Sequence, residues 1–515
     1  MANRAANLLL LAEERAKKTA LIFDDEHITF EQLANRVRTS AAELAELGVR
    51  KGSRVGIMMP SSPEFIVIQQ ALFLLGAVVS PLNIFYKPGE IAHVIQSCDL
   101  EHVVLPADLA DRAPRRRAEE LPSLRSIIMT GAPDGPLDDP FVALRPIRDS
   151  FVQMADVADD DVAMLLNTSA TTGKSTGVML TAANLAANYD RTPGWLGLNE
   201  NDVILCALPL YNTFGLNQCI NAMLVTGATM VLLPRFEAKR CIDAIAKYRC
   251  TFLPAVPTML QKIVDHEGLC RGALSSVDTI MTGGAPVPAA LLRRVLEVMG
   301  EGTEVLTGYG LTEGTALVTL TAVKLGSDGD LDHGRTIGRV LDGIELAIRA
   351  EDGQFLPANE MGEIVVRGPN LMLGYYKAPG DTAVALADGW LHSGDLGYID
   401  EDGYAFIVDR KKDVIIRGGQ NIYPADIKEV LYQQLGVAEA AVVGMEDDVL
   451  GEVPIAFVAL QGCSDISSAD LLEHRKAQLA PYKVPAAVII MPELPKGPTG
   501  KILRRELRPL ARAVA

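Results

Sequence analysis

Short apolar runs alternate with amphipathic stretches over residues 1–330, a pattern that predicts helices and buried strands in layers. Thr29 begins one helical stretch, with Gln32 at its capping-box position. The strand-like runs are 55–59, 76–79, 162–166, 203–208, 229–233, 252–256, 280–282 and 305–307. Several of them end in small residues, and open α/β sheets bind their ligands beyond the carboxyl ends of the strands. We therefore expect an α/β domain with a ligand site at those loops.

The pattern changes near residue 335, where alternating runs begin to flank short groups of turn residues. Such groups lie at 351–353 and at 400–403, and each predicts a β-hairpin. The expectation is a β-rich subdomain over 335–409, attached to the layered α/β subdomains. Together they would form a large N-terminal domain, residues 1–409.

A charged run at 410–413 precedes a smaller set of helical and strand-like stretches. The predicted elements are a helix from Pro424 to about residue 435, strands at 440–443 and 455–460, a helix capped by Ser467 and Asp470, and a last helix after Lys501. Residues 410–515 are therefore expected to form a small α+β domain of their own.

The chain has 515 residues, of which 49% are hydrophobic and 22% charged, and its formal net charge is −17. A globular chain of this length is expected to hold more than one domain. The acidic balance argues against nucleic acid and against an anionic membrane surface as partners. It does not exclude small anionic ligands, because a local site can oppose the net charge.

Signals of secretion and of membrane insertion are missing from the sequence. The apolar patch at 8–12 is broken by Glu13, and no apolar run approaches the ~18 residues that a spanning helix needs. Seven dispersed cysteines without a CxxC pair suggest neither a disulfide framework nor a zinc site. The motifs HExxH and GxSxG, typical of zinc proteases and α/β-hydrolases, do not occur. We expect a cytoplasmic protein without integral membrane association.

Small, mostly hydroxyl-bearing residues from Thr168 to Thr172 are followed by Gly173 and Lys174. Small residues let backbone N–H groups approach an anion, hydroxyls add donors and the lysine adds charge, so the stretch suits a phosphate-binding loop. A polar surface turn is the alternative. The Walker A pattern nearly fits from Thr168 to Ser175, but Thr168 stands where that pattern needs its first glycine.

Four later motifs help to choose between these interpretations. They are Tyr309-Gly310-Leu311-Thr312-Glu313, His392-Ser393-Gly394-Asp395-Leu396, Asp409-Arg410-Lys411-Lys412-Asp413 and Pro495-Lys496-Gly497-Pro498-Thr499-Gly500-Lys501-Ile502. With the sequence T-S-A-T-T-G-K-S-T-G from Thr168, they closely resemble the adenylate-forming superfamily. That superfamily includes acyl-CoA synthetases, 4-coumarate:CoA ligases, firefly luciferase and peptide-synthetase adenylation domains. The resemblance covers nearly the whole chain, and a Walker ATPase would not need these motifs.

The resemblance implies a reaction in two steps that uses ATP, Mg²⁺ and coenzyme A. A carboxylate attacks the α-phosphate of ATP to give acyl-AMP and pyrophosphate, and a thiol then displaces AMP. The first step brings two anions together, so it needs positive charge and fixed donors around the phosphates. Between the steps, the small C-terminal domain would swing about a hinge near Lys412.

The resemblance also assigns roles to single residues. Lys501 would bridge the substrate carboxylate and the α-phosphate, Thr312 would contact the α-phosphate, and Glu313 would bind Mg²⁺. Asp395 would accept the ribose hydroxyls, with Arg410 beside them. The phosphate loop would be Thr168, Ser169, Thr171, Thr172, Gly173 and Lys174; the adenine site Gly284, Ala285, Pro286, Tyr309 and Gly310; and the pantetheine path Arg417, Gly418 and Gly419, next to Lys412. Without the resemblance, Glu313 would be interpreted as a solvated carboxylate, Asp395 as a turn residue and Lys501 as part of a basic tail.

The chain departs from the family pattern in the loop and in one later motif. Ala170, Ser175 and Thr176 replace a glycine, a proline and a lysine. Thr176 removes one positive charge near the phosphates, although Lys174 keeps a flexible one. Asn212 replaces a histidine near the acyl carboxylate, and it can donate a hydrogen bond but cannot carry charge.

The acyl pocket implied by the resemblance is mostly apolar or small. It would contain Tyr211, Asn212, Phe214, Gly215, Val256, Met259, Gly308 and Ala316. No aspartate stands near Phe214 to hold an α-ammonium group, so a fatty or aromatic acid is expected rather than an amino acid. The sequence therefore predicts an acid:CoA ligase. A homodimer is compatible with this prediction. The alternatives are an acyl-AMP ligase that loads an acyl carrier protein, and a non-catalytic acyl- or nucleotide-binding relative.

Overall fold

The computed structural model describes residues 2–114, 121–132, 135, 137–145, 152–168, 176–270, 272–285, 287–299, 302–326, 330–434, 436–460, 466–471, 479–496 and 502–512. The strands up to residue 340 are β1 (Thr19–Phe23), β2 (Glu26–Thr29), β3 (Arg54–Ile57), β4 (Val78–Pro81), β5 (His102–Pro106), β6 (Ser126–Thr130), β7 (Phe141–Ala143), β8 (Val162–Thr168), β9 (Thr176–Thr181), β10 (Val203–Cys206), β11 (Thr229–Leu232), β12 (Phe252–Ala255), β13 (Thr279–Thr282), β14 (Glu304–Gly310), β15 (Leu317–Leu325), β16 (Leu331–Asp332) and β17 (Arg339–Val340). The helices of this part are α1 (Ala6–Glu14), α2 (Phe30–Glu46), α3 (Pro63–Leu74), α4 (Pro88–Ser97), α5 (Ala182–Asn188), α6 (Thr192–Trp195), α7 (Thr213–Gly215), α8 (Ala222–Thr226), α9 (Ala238–Tyr248), α10 (Pro257–Val264) and α11 (Ala289–Met299).

Two large sheets organise this part of the chain. Within the described residues, ten strands form one sheet in the order β16-β15-β14-β13-β12-β10-β11-β1-β2, with β17 paired to β15. Eight strands form the other in the order β20-β9-β8-β4-β3-β5-β6-β7, where β20 (Gly374–Tyr375) arrives from later in the chain. Neighbouring strands from β10 to β14 run parallel, so the loops after them lie at one edge of the sheet.

Helix α3 shows how the apolar pattern builds the core. Ser62 caps it by accepting a hydrogen bond from the Phe65 N–H group, and every residue from Phe65 to Leu74 is buried. A helix that is apolar on all sides must be covered on all sides. The predicted capping box of α2 is also present, since Thr29 and Gln32 exchange side-chain to backbone hydrogen bonds.

The β-rich part contains β18 (Glu345–Arg349), β19 (Gly362–Arg367), β21 (Leu391–Ile399) and β22 (Ala405–Arg410), with α12 (Pro379–Ala385) before β21. Within the described residues these strands form one antiparallel sheet in the order β18-β19-β21-β22. The predicted hairpin at 400–403 is therefore confirmed as the β21–β22 turn.

The last part contains β23 (Ile415–Arg417), β24 (Gln420–Ile422), α13 (Pro424–Tyr432), β25 (Val437–Asp447), β26 (Gly451–Leu460), β27 (Ala487–Met491) and α14 (Arg504–Arg512). Within the described residues its sheet has the order β24-β23-β26-β25, with β27 parallel to β26. Residues of α13 and of α14 belong to two separate apolar clusters, and each cluster also contains residues of β25 and β26. The expected α/β class, with a large and a small α+β part, is confirmed, whereas the boundary at 409/410 stays a prediction.

Two local predictions need correction, and one helical segment is irregular. The strand predicted at 305–307 continues through Gly308 to Gly310, because β15 returns antiparallel beside it. The predicted hairpin at 351–353 is reduced to one bridge between Arg349 and Phe355, since β18 pairs mainly with β19. Between α7 and α8 the chain forms a π-helical turn, Leu216–Asn221.

Candidate active site

The turn from β14 into β15 forms one wall of the predicted nucleotide site. A Cβ atom at Gly310 would lie 1.9 Å from the Ala316 carbonyl oxygen, and one at Gly308 would lie 2.5 Å from the Thr319 carbonyl oxygen. Both positions therefore require glycine, because backbone occupies the space of a side chain. This turn carries the 3₁₀ helix Thr312–Gly314, where two of the predicted site residues lie.

Asp395, Tyr309 and Arg410 come together from three strands. The Tyr309 hydroxyl donates to Asp395 Oδ2 at 2.6 Å, and Arg410 Nε lies 3.0 Å from Asp395 Oδ1. Asp395 is only 4% exposed. Burial raises the pKa of Tyr309 well above its ordinary value, and the adjacent Asp395 carboxylate raises it further, so the phenol stays a donor. Each carboxylate oxygen keeps a second lone pair for another donor.

Glu313 contacts β20, which pairs with β9, the strand that follows the Ser/Thr/Gly loop. The Tyr375 hydroxyl donates to Glu313 Oε1 at 3.0 Å. Tyr375 belongs to β20 and pairs with Val178 of β9. Burial raises the pKa of Tyr375, as does the charge of Glu313, which keeps this donor protonated. The contact thus joins Glu313 to the loop region across the two sheets.

Glu313 fits the way in which proteins hold Mg²⁺. Among the described residues, no group of three or more His, Cys, Asp or Glu side chains could hold a metal ion. Mg²⁺ does not need such a group, because one or two carboxylates and the phosphates of a substrate are its usual ligands. A single oriented glutamate is sufficient on this basis.

The loop itself lies mostly outside the described residues. Thr168 ends β8 and Thr176 begins β9, and these two residues pair in register. The predicted site residues that lie outside the described part are Ser169, Thr171, Thr172, Gly173, Lys174, Pro286 and Lys501. Of the remaining adenine-site residues, Gly284 lies two residues after β13 with a φ of 76°, and the half-buried Ala285 follows it. A glycine adopts this left-handed conformation without strain.

The predicted acyl-pocket residues follow β10, β12 and β14, which lie close together in the sheet order. Tyr211, Asn212 and Phe214 are half-buried and follow β10. A Cβ atom at Gly215 would lie 2.4 Å from the Pro209 carbonyl oxygen, so glycine is needed there. Burial raises the pKa of Tyr211 to about 12.

The other members of the predicted acyl pocket come from neighbouring loops. The half-buried Val256 and the buried Met259 lie at the start of α10, after β12. Gly308 belongs to β14, and the half-buried Ala316 precedes β15. Parallel strands therefore bring all of these residues to the same edge of the sheet.

Gly418 and Gly419 form the two-residue turn between β23 and β24. Their φ angles are 56° and 80°, the conformation that a tight hairpin turn requires and glycine tolerates. Arg417 Nη1 donates to the carbonyl oxygens of Tyr482 at 2.8 Å and Val484 at 3.4 Å. The predicted pantetheine residues thus share one hairpin, and the Arg417 side chain is bound within the C-terminal part.

Lys412 belongs to the 3₁₀ turn that joins the β-rich part to β23. Burial lowers the pKa of Lys412, and the nearby Arg410, Arg508 and Arg504 lower it further, whereas Asp413 raises it. The turn is therefore rich in cations.

Two features of the site were missed in the sequence. The Tyr375 contact with Glu313 joins residues 62 positions apart, and the Arg504 contact with Asp409 joins residues 95 apart. Asp409 was recognised within a motif but given no role. No spacing in the sequence signals either pair, because both depend on how the sheets are assembled.

Comparisons with known proteins assign the chain to a family. The family model described as AMP-binding enzyme matches residues 11–376, and that of the AMP-binding enzyme C-terminal domain matches residues 426–501. The chain is 35% identical to a 3-[(3aS,4S,7aS)-7a-methyl-1,5-dioxo-octahydro-1H-inden-4-yl]propanoyl:CoA ligase of Mycobacterium tuberculosis, covering 97% of each chain. It is 31% identical to a long-chain-fatty-acid–CoA ligase of Bacillus subtilis, covering 95% of this chain and 91% of the relative.

A solved structure extends the likeness to the whole fold. The ATP-bound MatB of Rhodopseudomonas palustris is 28% identical and superposes with a TM-score of 0.87 over 99% of each chain. Apo MatB gives a TM-score of 0.76, so the arrangement here is closer to the ATP-bound form. Among the described residues, no helix has the length and apolar character needed to cross a membrane. The chain belongs to the AMP-binding enzyme family, within the adenylate-forming superfamily, and is an acid–thiol ligase that uses ATP, Mg²⁺ and coenzyme A.

Proposed function

We propose that this enzyme converts an apolar carboxylic acid, fatty or aromatic, to its acyl adenylate and then transfers the acyl group to coenzyme A. The observation that carries the proposal is the cluster of Asp395, Tyr309 and Arg410. It brings three separately predicted nucleotide residues into contact beside the turn that bears Thr312 and Glu313.

The nucleotide would be held by residues on both sides of this cluster. Asp395 would accept the ribose hydroxyls with the lone pairs that Tyr309 and Arg410 leave free. The ring of Tyr309, together with Gly284, Ala285, Pro286 and Gly310, would line the adenine. The loop Thr168, Ser169, Thr171, Thr172, Gly173 and Lys174 would hold the β- and γ-phosphates.

The reaction centre would lie between Thr312 and Lys501. Thr312 would donate to the α-phosphate, and Lys501 would neutralise the substrate carboxylate and the phosphate as they approach. Glu313 would hold Mg²⁺, oriented by its hydrogen bond from Tyr375. The ion, when bound, neutralises phosphate charge and orients the leaving pyrophosphate.

The substrate class follows from the loops after β10, β12 and β14. Tyr211, Phe214, Val256 and Met259 offer apolar surface, and Gly215, Gly308 and Ala316 leave room beside it. The amide of Asn212 can hydrogen-bond the acyl carboxylate. The ligases of M. tuberculosis and B. subtilis, named for a fused-ring propanoate and for long-chain acids, support an apolar acid.

Transfer to coenzyme A would use the small domain, 410–515, turning at Lys412 relative to 1–409. The turn Gly418–Gly419 and Arg417 would then border the pantetheine, because a glycine backbone permits close approach. All six cysteines that the described residues contain are free, which suits the proposed cytoplasmic location.

The test is acid-dependent pyrophosphate release with ATP and Mg²⁺. A panel of hexanoate, palmitate, benzoate, cinnamate and phenylalanine would be run with and without coenzyme A. Release with a fatty or aromatic acid and faster turnover with coenzyme A is the expected result. Turnover unaffected by coenzyme A would favour a carrier-protein acceptor, and release with none of the acids would contradict the proposal. A homodimer stays a prediction that the sedimentation coefficient of the same preparation would decide.

A further inference from the structure

A single arginine near the C-terminus bridges two aspartates that flank the proposed hinge. Arg504 Nη1 lies 3.4 Å from Asp409 Oδ1 and 2.7 Å from Asp413 Oδ2. Asp409 belongs to β22, whereas Asp413 ends the 3₁₀ turn that contains Lys412. One guanidinium nitrogen therefore joins carboxylates on opposite sides of Lys412.

Asp409 is held by further groups. Its Oδ1 accepts a hydrogen bond from the Arg410 N–H at 2.8 Å, and its Oδ2 accepts one from the Ala425 N–H at 2.8 Å. Ala425 lies in the first turn of α13, where free N–H groups and the helix dipole favour a carboxylate. Asp409 is only 5% exposed, so detaching it would leave several polar groups without partners. Its contacts thus tie both α13 and α14 to β22.

Asp413 follows Lys412 in the sequence, whereas Asp409 precedes it. It contacts Arg504 and also lies 3.7 Å from Arg508 Nη2, one turn further along α14. A rotation about Lys412 can carry Asp413 with α14, whereas Asp409 stays with β22. Such a rotation would keep the Arg504–Asp413 contact and break the Arg504–Asp409 contact.

We propose that Arg504 is a positioning residue that holds the C-terminal domain in the pose for adenylation. The inference rests on the proposed function, since it assumes a hinge near Lys412 and a reactive Lys501. Arg504 lies three residues after Lys501. The Leu503 N–H donates to the Pro495 carbonyl oxygen at 2.8 Å, which ties the residue before Arg504 to residue 495. Binding of Arg504 to Asp409 therefore fixes the start of α14, which follows Lys501 by three residues in the sequence.

The arrangement implies that the two half-reactions depend on Arg504 differently. With the contact to Asp409 intact, the start of α14 is bound to β22. Thiol transfer requires that contact to break as the domain turns. Loss of Arg504 should therefore slow adenylation and leave thiol transfer nearly unchanged.

The experiment measures both half-reactions in R504Q, R504K and R512Q. Adenylation is followed as pyrophosphate release with the acid that the panel selects, and thiol transfer as coenzyme A-dependent consumption of supplied acyl-AMP. Arg512 is the matched control, because it lies on the same helix and pairs with Glu446 at 2.9 Å in an exposed position. We expect R504Q to lower adenylation about tenfold, as for a lost charged hydrogen bond, and thiol transfer less than about twofold. R504K should fall between R504Q and the wild type, and R512Q should match the wild type.

Equal loss of both half-reactions in R504Q, or the same split in R512Q, would overturn the inference. Trypsin cleavage after residues 410–412 gives a readout without catalysis, and R504Q should be cut faster than R512Q. Unchanged cleavage in R504Q would also contradict the proposal. If R504Q does not fold, R504K carries the test, because lysine keeps the charge but not the planar fork. A wild-type enzyme without acid-dependent pyrophosphate release would refute the proposed function instead, and the cleavage comparison would still decide the role of Arg504.

Discussion

Asp395 and Asp409 lie on the neighbouring strands β21 and β22, and both are buried next to an arginine. In the strand register, Asp395 is opposite Arg410 and Leu396 is opposite Asp409, so the two aspartates are diagonal neighbours whose side chains point to opposite faces of the sheet. Their partners nevertheless come from different parts of the chain. Asp395 is held by Tyr309 of the large sheet, whereas Asp409 is held by α13 and α14.

The difference shows how neighbouring strands of one small sheet can carry both a ligand acceptor and a contact to the C-terminal part. The partners of Asp395 belong to β14 and β22, so its carboxylate is a fixed acceptor suited to a ligand. Two partners of Asp409, the Ala425 N–H and Arg504, follow the proposed hinge at Lys412, so these two hydrogen bonds would change if the C-terminal domain turned there. Asp395 and Asp409 are equally buried and carry the same charge. Their proposed roles differ because their partners come from different parts of the chain.

Asp395→Asn is expected to have the largest effect on the chemistry. The asparagine amide has one oxygen that accepts hydrogen bonds and an NH₂ group that only donates. Arg410 therefore loses its counter-charge, and the ribose hydroxyls lose an acceptor. Pyrophosphate release should fall about 100-fold or more, because at least two hydrogen bonds to a charged group are weakened and each is worth about 1.5–3 kcal/mol. A fall below about threefold would remove Asp395 from the nucleotide site.

Asp409→Ala is expected to act on stability. Arg504 and the Ala425 N–H would both lose a buried acceptor, and breaking a buried ion pair typically costs about 3–5 kcal/mol. Urea unfolding followed in the C-terminal domain should show a loss near the lower end of that range, because Arg504 keeps Asp413. An Asp413→Ala variant is the control, and a larger loss there would contradict the division between the two aspartates.

Tyr375→Phe tests a third carboxylate, Glu313, which accepts a hydrogen bond from the Tyr375 hydroxyl. Without the phenol, Glu313 Oε1 loses the donor that orients it. Removal of such supporting contacts at metal sites typically weakens metal binding about tenfold. The Mg²⁺ concentration for half-maximal pyrophosphate release should rise accordingly, while the fluorescence-detected affinity for metal-free ATP stays constant. An unchanged Mg²⁺ requirement would separate Tyr375 from the metal.

Tyr309→Phe is expected to have the smallest effect. Asp395 would lose a hydrogen bond from a neutral phenol donor but keep its ion pair with Arg410, so about 1 kcal/mol should be lost. The KM for ATP should rise about fivefold with little change in kcat. Tyr398→Phe is the matched control, since Tyr398 lies on the same strand as Asp395 and stacks on Phe406 with ring centroids 4.8 Å apart. An equal rise in Tyr398→Phe would show that the strand, not the hydrogen bond, was disturbed.

Local chemistry made much of the fold predictable. The capping box at Thr29 and Gln32 and the turn at 400–403 need only nearby residues, and both are present. Motifs also identified Tyr309, Asp395 and Arg410 separately, because each has a recognisable sequence context. Their contact with one another required the assembled sheets.

What sequence reasoning missed depends on distant neighbours. The strand predicted to end at residue 307 continues to Gly310, because β15 supplies backbone partners for the extra residues. Arg504 resembled any other cation of a basic tail until Asp409 and Asp413 were placed beside it. Composition cannot distinguish a solvated arginine from one that bridges a hinge, since the difference lies in its partners.

The division of roles between the two aspartates is tested most directly by calorimetric measurement of ATP affinity in D395N and D409N. The account predicts that D395N weakens binding about tenfold or more, through its lost charged hydrogen bonds, while D409N binds like the wild type. Equal weakening in both variants, or none in D395N, would contradict it.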